Sequence, residues 1–174
     1  MGKTKGSETL SDALVIFGVT GDLVHKMIFP ALYAMTKRGA LSVPVIGVAS
    51  SKWSLAELHQ RAVDGIQKSG GIDDQHALEY LLSLLRYVEG DYNDRDTFTA
   101  IKKTLGSAQR PAHYLAIPPA LFATVIQGLG AAGLADNARV IVEKPFGRVG
   151  TLRCDRRSRP QDDLPGALCD GETW

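Results

Sequence analysis

The sequence predicts an α/β fold, a mostly parallel sheet with helices on both faces. Three observations carry this. Short runs rich in Val, Ile and Ala alternate with segments of helical period. The first run, Ala13–Phe17, is apolar throughout, as a strand covered on both faces must be. It ends in a glycine turn, Gly18-Val19-Thr20-Gly21, that opens a helical segment.

Residues 1–12 read as a flexible leader. Asp22 to Lys37 is helical, with a kink or break expected at Pro30, which lacks an amide donor. Gly39 is a natural stop. Val43–Val48 is the second strand, with Pro44 at its start. Ser54 and Glu57 form a capping box for a helix running towards Lys68 and ended by Ser69-Gly70-Gly71. Asp74 to Leu85 is helical, and Arg86–Glu89 is the third strand. Asp94 to Leu105 is helical, with Gly106 as its stop. Ala112–Ile117 is the fourth strand, closed by Pro118 and Pro119. A helical segment, Ala120–Ala132, leads to the fifth strand, Arg139–Val142. Together they form one domain, 13–148, and residues 149–174 read as an irregular tail.

A chain of 174 residues holds one sizeable core and not two. Its net charge of +1 predicts neither a nucleic-acid nor a membrane partner. No apolar run has the roughly 18 residues of a membrane helix. The polar N-terminus lacks the apolar core of a secretion signal, so the expected location is the cytoplasm. Cys154 and Cys169, both in the tail, read as unrelated thiols, and no metal site is expected.

After a buried first strand, a glycine turn suits a phosphate. Glycine lets the chain turn sharply and brings backbone N–H groups close to a pyrophosphate, while the next helix presents unpaired donors. The residues concerned are Gly18, Val19, Thr20, Gly21, Asp22, Leu23 and Val24. Thr20 can add a hydroxyl, and Asp22 is placed to cap the helix. The spacing is G-x-x-G, which ordinary turns share. The end of the second strand reads the cofactor's ribose. Here it carries Ser50, Ser51 and Lys52 and no acid, which favours NADP over NAD. At the end of the fifth strand, Lys144 in Glu143-Lys144-Pro145-Phe146-Gly147 can reach a nicotinamide ribose or a substrate phosphate. Pro145 fixes the turn there, in a cis or trans form.

Three ordered segments carry a family resemblance. Gly18–Val24 resembles the G-[AV]-[ST]-G-D-L-[AV] signature of glucose-6-phosphate dehydrogenases, and Lys26 and Pro30 match residues that follow it. Leu115–Pro119 is similar to the family's L-[AS]-[LVI]-P-P segment. Ile141–Arg148 is similar to its I-[IV]-E-K-P-F-G-[RHT] segment. The resemblance covers about residues 13–148 and implies a Rossmann-like domain from the N-terminal third of such an enzyme. It implies oxidation of C1 of glucose 6-phosphate, with hydride passing to NADP, in the pentose phosphate pathway of carbohydrate metabolism. It places Gly18–Val24 on the pyrophosphate and Lys144 on both cofactor and sugar phosphate. It puts Asp91 and Tyr92 in the cofactor crevice and Phe122 near the nicotinamide end.

The chain departs from the family in two respects. Many members have arginine where Ser50 stands, so dual use of NAD and NADP stays open. The family's downstream R-I-D-H-[YF]-L-G-K segment, which holds the catalytic base, has no counterpart here. His25 is expected near cofactor or solvent, His59 and His76 on helix surfaces, and His113 at the start of a strand. None matches the base, so no catalytic residue is assigned and the fragment is expected to be inactive. The change after Arg148 reads as a truncation or frameshift. The large substrate domain and the homo-oligomer interface that the family carries are expected to be absent, leaving apolar surface at the sheet edge and poor solubility. Two alternatives stand beside this reading: a non-catalytic NAD(P)-binding module, and a glucose–fructose oxidoreductase-like enzyme, whose turn is usually G-x-G-x-x-G.

Overall fold

The computed structural model describes residues 10–143, and residues 149–153 as backbone. Six strands form one sheet: β1 (Ala13–Phe17), β2 (Val45–Ala49), β3 (Leu85–Glu89), β4 (Pro111–Leu115), β5 (Arg139–Glu143) and β6 (Val149–Arg153). Their order is β3-β2-β1-β4-β5-β6. The first five are parallel, and β6 runs antiparallel to β5. The helices are α1 (Phe29–Lys37), α2 (Leu55–Ser69), α3 (Gln75–Leu84), α4 (Arg95–Leu105) and α5 (Phe122–Ala131).

Alternation along β1 divides the core in two. Ala13, Val15 and Phe17 pack with Phe98, Ile101, Val125 and Leu129 of α4 and α5. Ile16 faces the other way, among Phe29, Leu32, Leu58, Ile66 and Leu81 of α1, α2 and α3. Both faces of the sheet are therefore covered. This is why β2 is buried at every position and has no polar face.

The expected capping box and glycine stop are present, and two further caps accompany them. The Ser54 hydroxyl accepts from the Glu57 amide at 3.2 Å, and the Ser54 amide donates to the Glu57 carboxylate at 2.7 Å. Asp74 and Asp94 cap α3 and α4. Gly106 ends α4 at φ +60°.

Three features depart from the sequence reading. Pro30 does not break the helix. Val24–Ile28 forms a π-helical turn in which the Phe29 amide reaches the Val24 carbonyl, and α1 starts at Phe29 with Pro30 in its first turn, so the irregularity precedes the proline and the helical run goes on past it. The widened turn accommodates the ring and the missing donor. Leu85, read as the last residue of the helix, instead begins β3. The tail, read as lacking strands, begins with β6, which pairs along the edge of β5 from Glu143↔Val149 to Arg139↔Arg153. The edge of the last parallel strand is thus paired where a bare one was expected. The remainder of the tail, with both cysteines, lies outside the described residues, as does the start of the leader.

Candidate functional site

The strand order turns about β1. The chain moves outward to β2 and β3, then returns to β4 on the other side. Such a reversal opens a crevice at the carboxyl ends of the two strands it separates. Gly18 stands at that point, directly after β1, with φ +78°. A Cβ built there would lie 2.3 Å from the Ala116 carbonyl oxygen and 2.9 Å from Ile117 Cγ2, just past the end of β4. No side chain fits, and only glycine adopts this φ without strain.

The turn is held from beneath. The Gly18 amide donates to the Val48 carbonyl and to the Tyr92 hydroxyl, both at 2.9 Å. The Tyr92 hydroxyl donates in turn to Val48 O at 3.2 Å. Its half-buried ring packs edge-on against Phe17, with centroids 5.7 Å apart. Burial pushes the Tyr92 phenol up, so it keeps its proton. Gly21 closes the turn by donating to Gly18 O at 2.9 Å. Among the described residues, the amides of Thr20, Asp22 and Leu23 have no acceptor. These donors stand at the start of a helical segment, where an anion is favoured.

The other expected residues divide into those at the crevice and those turned away. Thr20 is half-buried, and its Oγ1 accepts from the Ser51 hydroxyl at 3.2 Å, joining the glycine turn to the end of β2. Ser50 and Lys52 flank Ser51 and are exposed. Leu23 is 36% exposed. Val19 and Val24 are fully buried, so their side chains do not line the crevice. Val19 packs on Gly47, where a Cβ would lie 2.8 Å from its methyl groups. Asp91 is exposed, and its carboxylate accepts from the Asn93 amide at 2.9 Å, which holds it below the usual carboxylate range. Phe122 begins α5, half-buried against the α4–α5 core. Lys144 and Pro145 lie outside the described residues.

Asp22 does not cap the helix. Its exposed carboxylate pairs with Lys26 at 3.1 Å and Arg61 at 3.2 Å; the Lys26 contact, chiefly, lowers its pKa. His25 is neither at the crevice nor in solvent. It is buried under α2, with Nε2 at 2.7 Å from Asp64 Oδ2. A Cβ on Gly65 would lie 2.2 Å from the His25 carbonyl oxygen, so this crossing requires glycine as well. His59 is half-buried rather than on the surface, and burial lowers its pKa. His76 is exposed. His113 stands mid-strand in β4, fully buried, with Nε2 at 2.9 Å from Leu134 O.

Two tyrosines escaped the sequence reading. The Tyr87 hydroxyl, pushed up to about 12 by burial, donates to the Ser51 carbonyl and steadies the loop after β2. The Tyr114 hydroxyl donates to Glu143 at the end of β5. Tyr114 stands in a strand that is buried throughout, and the need of its hydroxyl for a partner there was the available signal. A cleft of 670 Å³ between α4 and α5, lined by Asn93, Phe98, Thr124 and Gln127, shares only Tyr92 with this set. Among the described residues there is no group that would hold a metal ion, and no helix is long and apolar enough to cross a membrane.

Residues 15–151 match the family model described as glucose-6-phosphate dehydrogenase, NAD binding domain. Glucose-6-phosphate 1-dehydrogenase 1 of Mycobacterium tuberculosis is 43% identical over 142 residues, which is 82% of this chain and 30% of that protein. The Saccharomyces cerevisiae glucose-6-phosphate 1-dehydrogenase is 34% identical over 76% of this chain and 29% of its own length. The crystal structure of the Mycobacterium avium enzyme superposes with a TM-score of 0.75 at 42% identity, covering 79% of this chain and 31% of that one. A glucose-6-phosphate dehydrogenase in complex with its substrate glucose 6-phosphate gives 0.70 at 29% identity, over 81% and 32%. This chain thus spans about 30% of the length of the curated relatives it matches. Neither alternative reading is favoured by these likenesses. The glycine turn, the strand order and the match over 15–151 together make the chain a member of the glucose-6-phosphate dehydrogenase family, carrying its NAD-binding domain.

Proposed function

We propose that residues 13–148 are the cofactor-holding domain of an oxidoreductase that passes hydride from C1 of glucose 6-phosphate to NADP. One observation carries this reading: a turn at Gly18 that admits no side chain, followed by three amides without acceptors. The close turn and the donors fit a pyrophosphate. In this reading the amides of Thr20, Asp22 and Leu23 bind the pyrophosphate. Gly18, Gly21 and Tyr92 keep the turn open for it. Val19 and Val24 hold their backbone at the crevice by burying their side chains. Thr20, Ser50 and Lys52 meet the 2′-phosphate of the adenosine ribose, with Lys52 supplying the positive charge. Lys144 reaches the nicotinamide ribose and the sugar phosphate. Asp91 steadies the loop that carries Tyr92, and Phe122 closes the nicotinamide side. The bound nicotinamide supplies the hydride acceptor. No described residue is assigned the proton-accepting step. The intact enzyme to which such a domain belongs works in the cytoplasm at the step that opens glucose 6-phosphate oxidation, as a homo-oligomer built through the family's substrate domain and not through residues 13–148.

Calorimetric titration of the full chain with NADP+ and NAD+ tests the reading. One-site binding, tighter for NADP+, is the expected result. Heat from neither dinucleotide overturns it.

A further inference from the structure

The far side of the crevice has a tie of its own. Tyr114 lies in β4, and its hydroxyl donates to the Glu143 carboxylate at the end of β5. The two strands pair from Ala112↔Arg139 to Leu115↔Val142. Glu143 lies one residue past the last of these pairs. It is two residues beyond Ile141, the direct partner of Tyr114, and therefore on the same face of the sheet. The main-chain ladder from β4 has ended there, and the side-chain bond spans the gap.

The fold itself does not call for this pair. Tyr114 is 9% exposed and sits within the apolar cluster that α1, α2 and α3 cover. Burying the hydroxyl there is unfavourable unless it finds an acceptor, and the half-buried Glu143 carboxylate supplies one. A phenylalanine beside an aliphatic residue would pack the same space more simply. Burial, and then the adjacent carboxylate, raise the Tyr114 phenol, so it remains a donor at any physiological pH.

The crevice has two halves, one on each side of the reversal between β1 and β4. The end of β2 serves the adenosine ribose, so the ends of β4 and β5 serve the nicotinamide. We infer that Tyr114 is a positioning residue that, through Glu143, fixes the carboxyl end of β5 on the nicotinamide side of the crevice. This rests on the proposed dinucleotide site.

The test uses two probes on the full chain. NADP+ spans both halves, whereas 2′,5′-ADP occupies only the adenosine half. Tyr114→Phe should weaken NADP+ binding by roughly tenfold, the scale of one hydrogen bond to a charged group, and leave 2′,5′-ADP unchanged. Glu143→Gln keeps an acceptor oxygen and should bind NADP+ like the unaltered chain. Equal weakening of both probes, or no change for NADP+, overturns the inference while leaving the dinucleotide site intact. If Tyr114→Phe fails to fold, Glu143→Ala must give the same selective loss, and a loss for both probes refutes the inference. Failure of the unaltered chain to bind NADP+ overturns the proposed function, and this inference with it.

Discussion

The two edges of the parallel sheet treat their polar groups in opposite ways. At the carboxyl edge, hydroxyls of Tyr92, Tyr87, Ser51 and Tyr114 brace the strand ends, and the amides of Thr20, Asp22 and Leu23 are left without acceptors. At the amino edge, the loops are tied off. The Asp12 carboxylate accepts from the Gln109 and Arg110 amides at 2.9 and 2.8 Å. His113 meets the Leu134 carbonyl between α5 and β5. The donors tied off at one edge close the fold; the donors without acceptors at the other are available to a ligand. Perturbing the first edge should change binding, and perturbing the second should change stability alone.

The largest effect is expected at Gly18. Gly18→Ala forces a Cβ against the Ala116 carbonyl at a φ that alanine resists. It should cost about 3 kcal/mol in urea unfolding and abolish dinucleotide binding.

Next in size is a pH effect belonging to the amino edge. Burial pushes His113 down to about 4, from 6.5 in the free side chain. Between these values the unfolded chain binds the proton and the folded chain does not, so stability falls as the pH drops. Lowering the pH from about 7.5 to about 5 should remove about 2 kcal/mol of stability. Burial depresses His59 in the same sense. Urea unfolding at both pH values checks this, and a flat profile would count against a buried neutral His113.

Smaller again is Lys52→Ala. Lys52 is exposed at the end of β2, so stability should hold while NADP+ binds about tenfold more weakly and NAD+ is unaffected. Equal loss for both dinucleotides would remove Lys52 from the 2′-phosphate. The smallest effect, about 1 kcal/mol, is expected for Asp12→Ala, seen as a lower unfolding midpoint with unchanged dinucleotide affinity.

The contrast also marks what could be read from the residues alone. β1, β2 and the capping box at Ser54 were legible because each is a local rule: an unbroken apolar run, or an acceptor beside the first helical amides. The glycine turn was legible for the same reason. His25 was not. A histidine after a phosphate turn reads as exposed until Asp64, 39 residues on, arrives as its partner. Asp22 fits the pattern of a cap, yet Lys26 and Arg61 claim its carboxylate. The π turn before Pro30 has no sequence mark beyond the proline itself. The helix-to-strand change at Leu85 falls inside a run where leucine suits both states. β6 depends on β5 for its partner, and its five residues carry no period of their own.

The central claim is that the carboxyl edge, and not the amino edge, receives a dinucleotide. Amide chemical shifts of the isotope-labelled chain, followed during NADP+ addition, test it directly. Large shifts are expected at Thr20, Asp22 and Leu23 and none at Gln109 and Arg110. Shifts confined to the amino edge, or none anywhere, would contradict it.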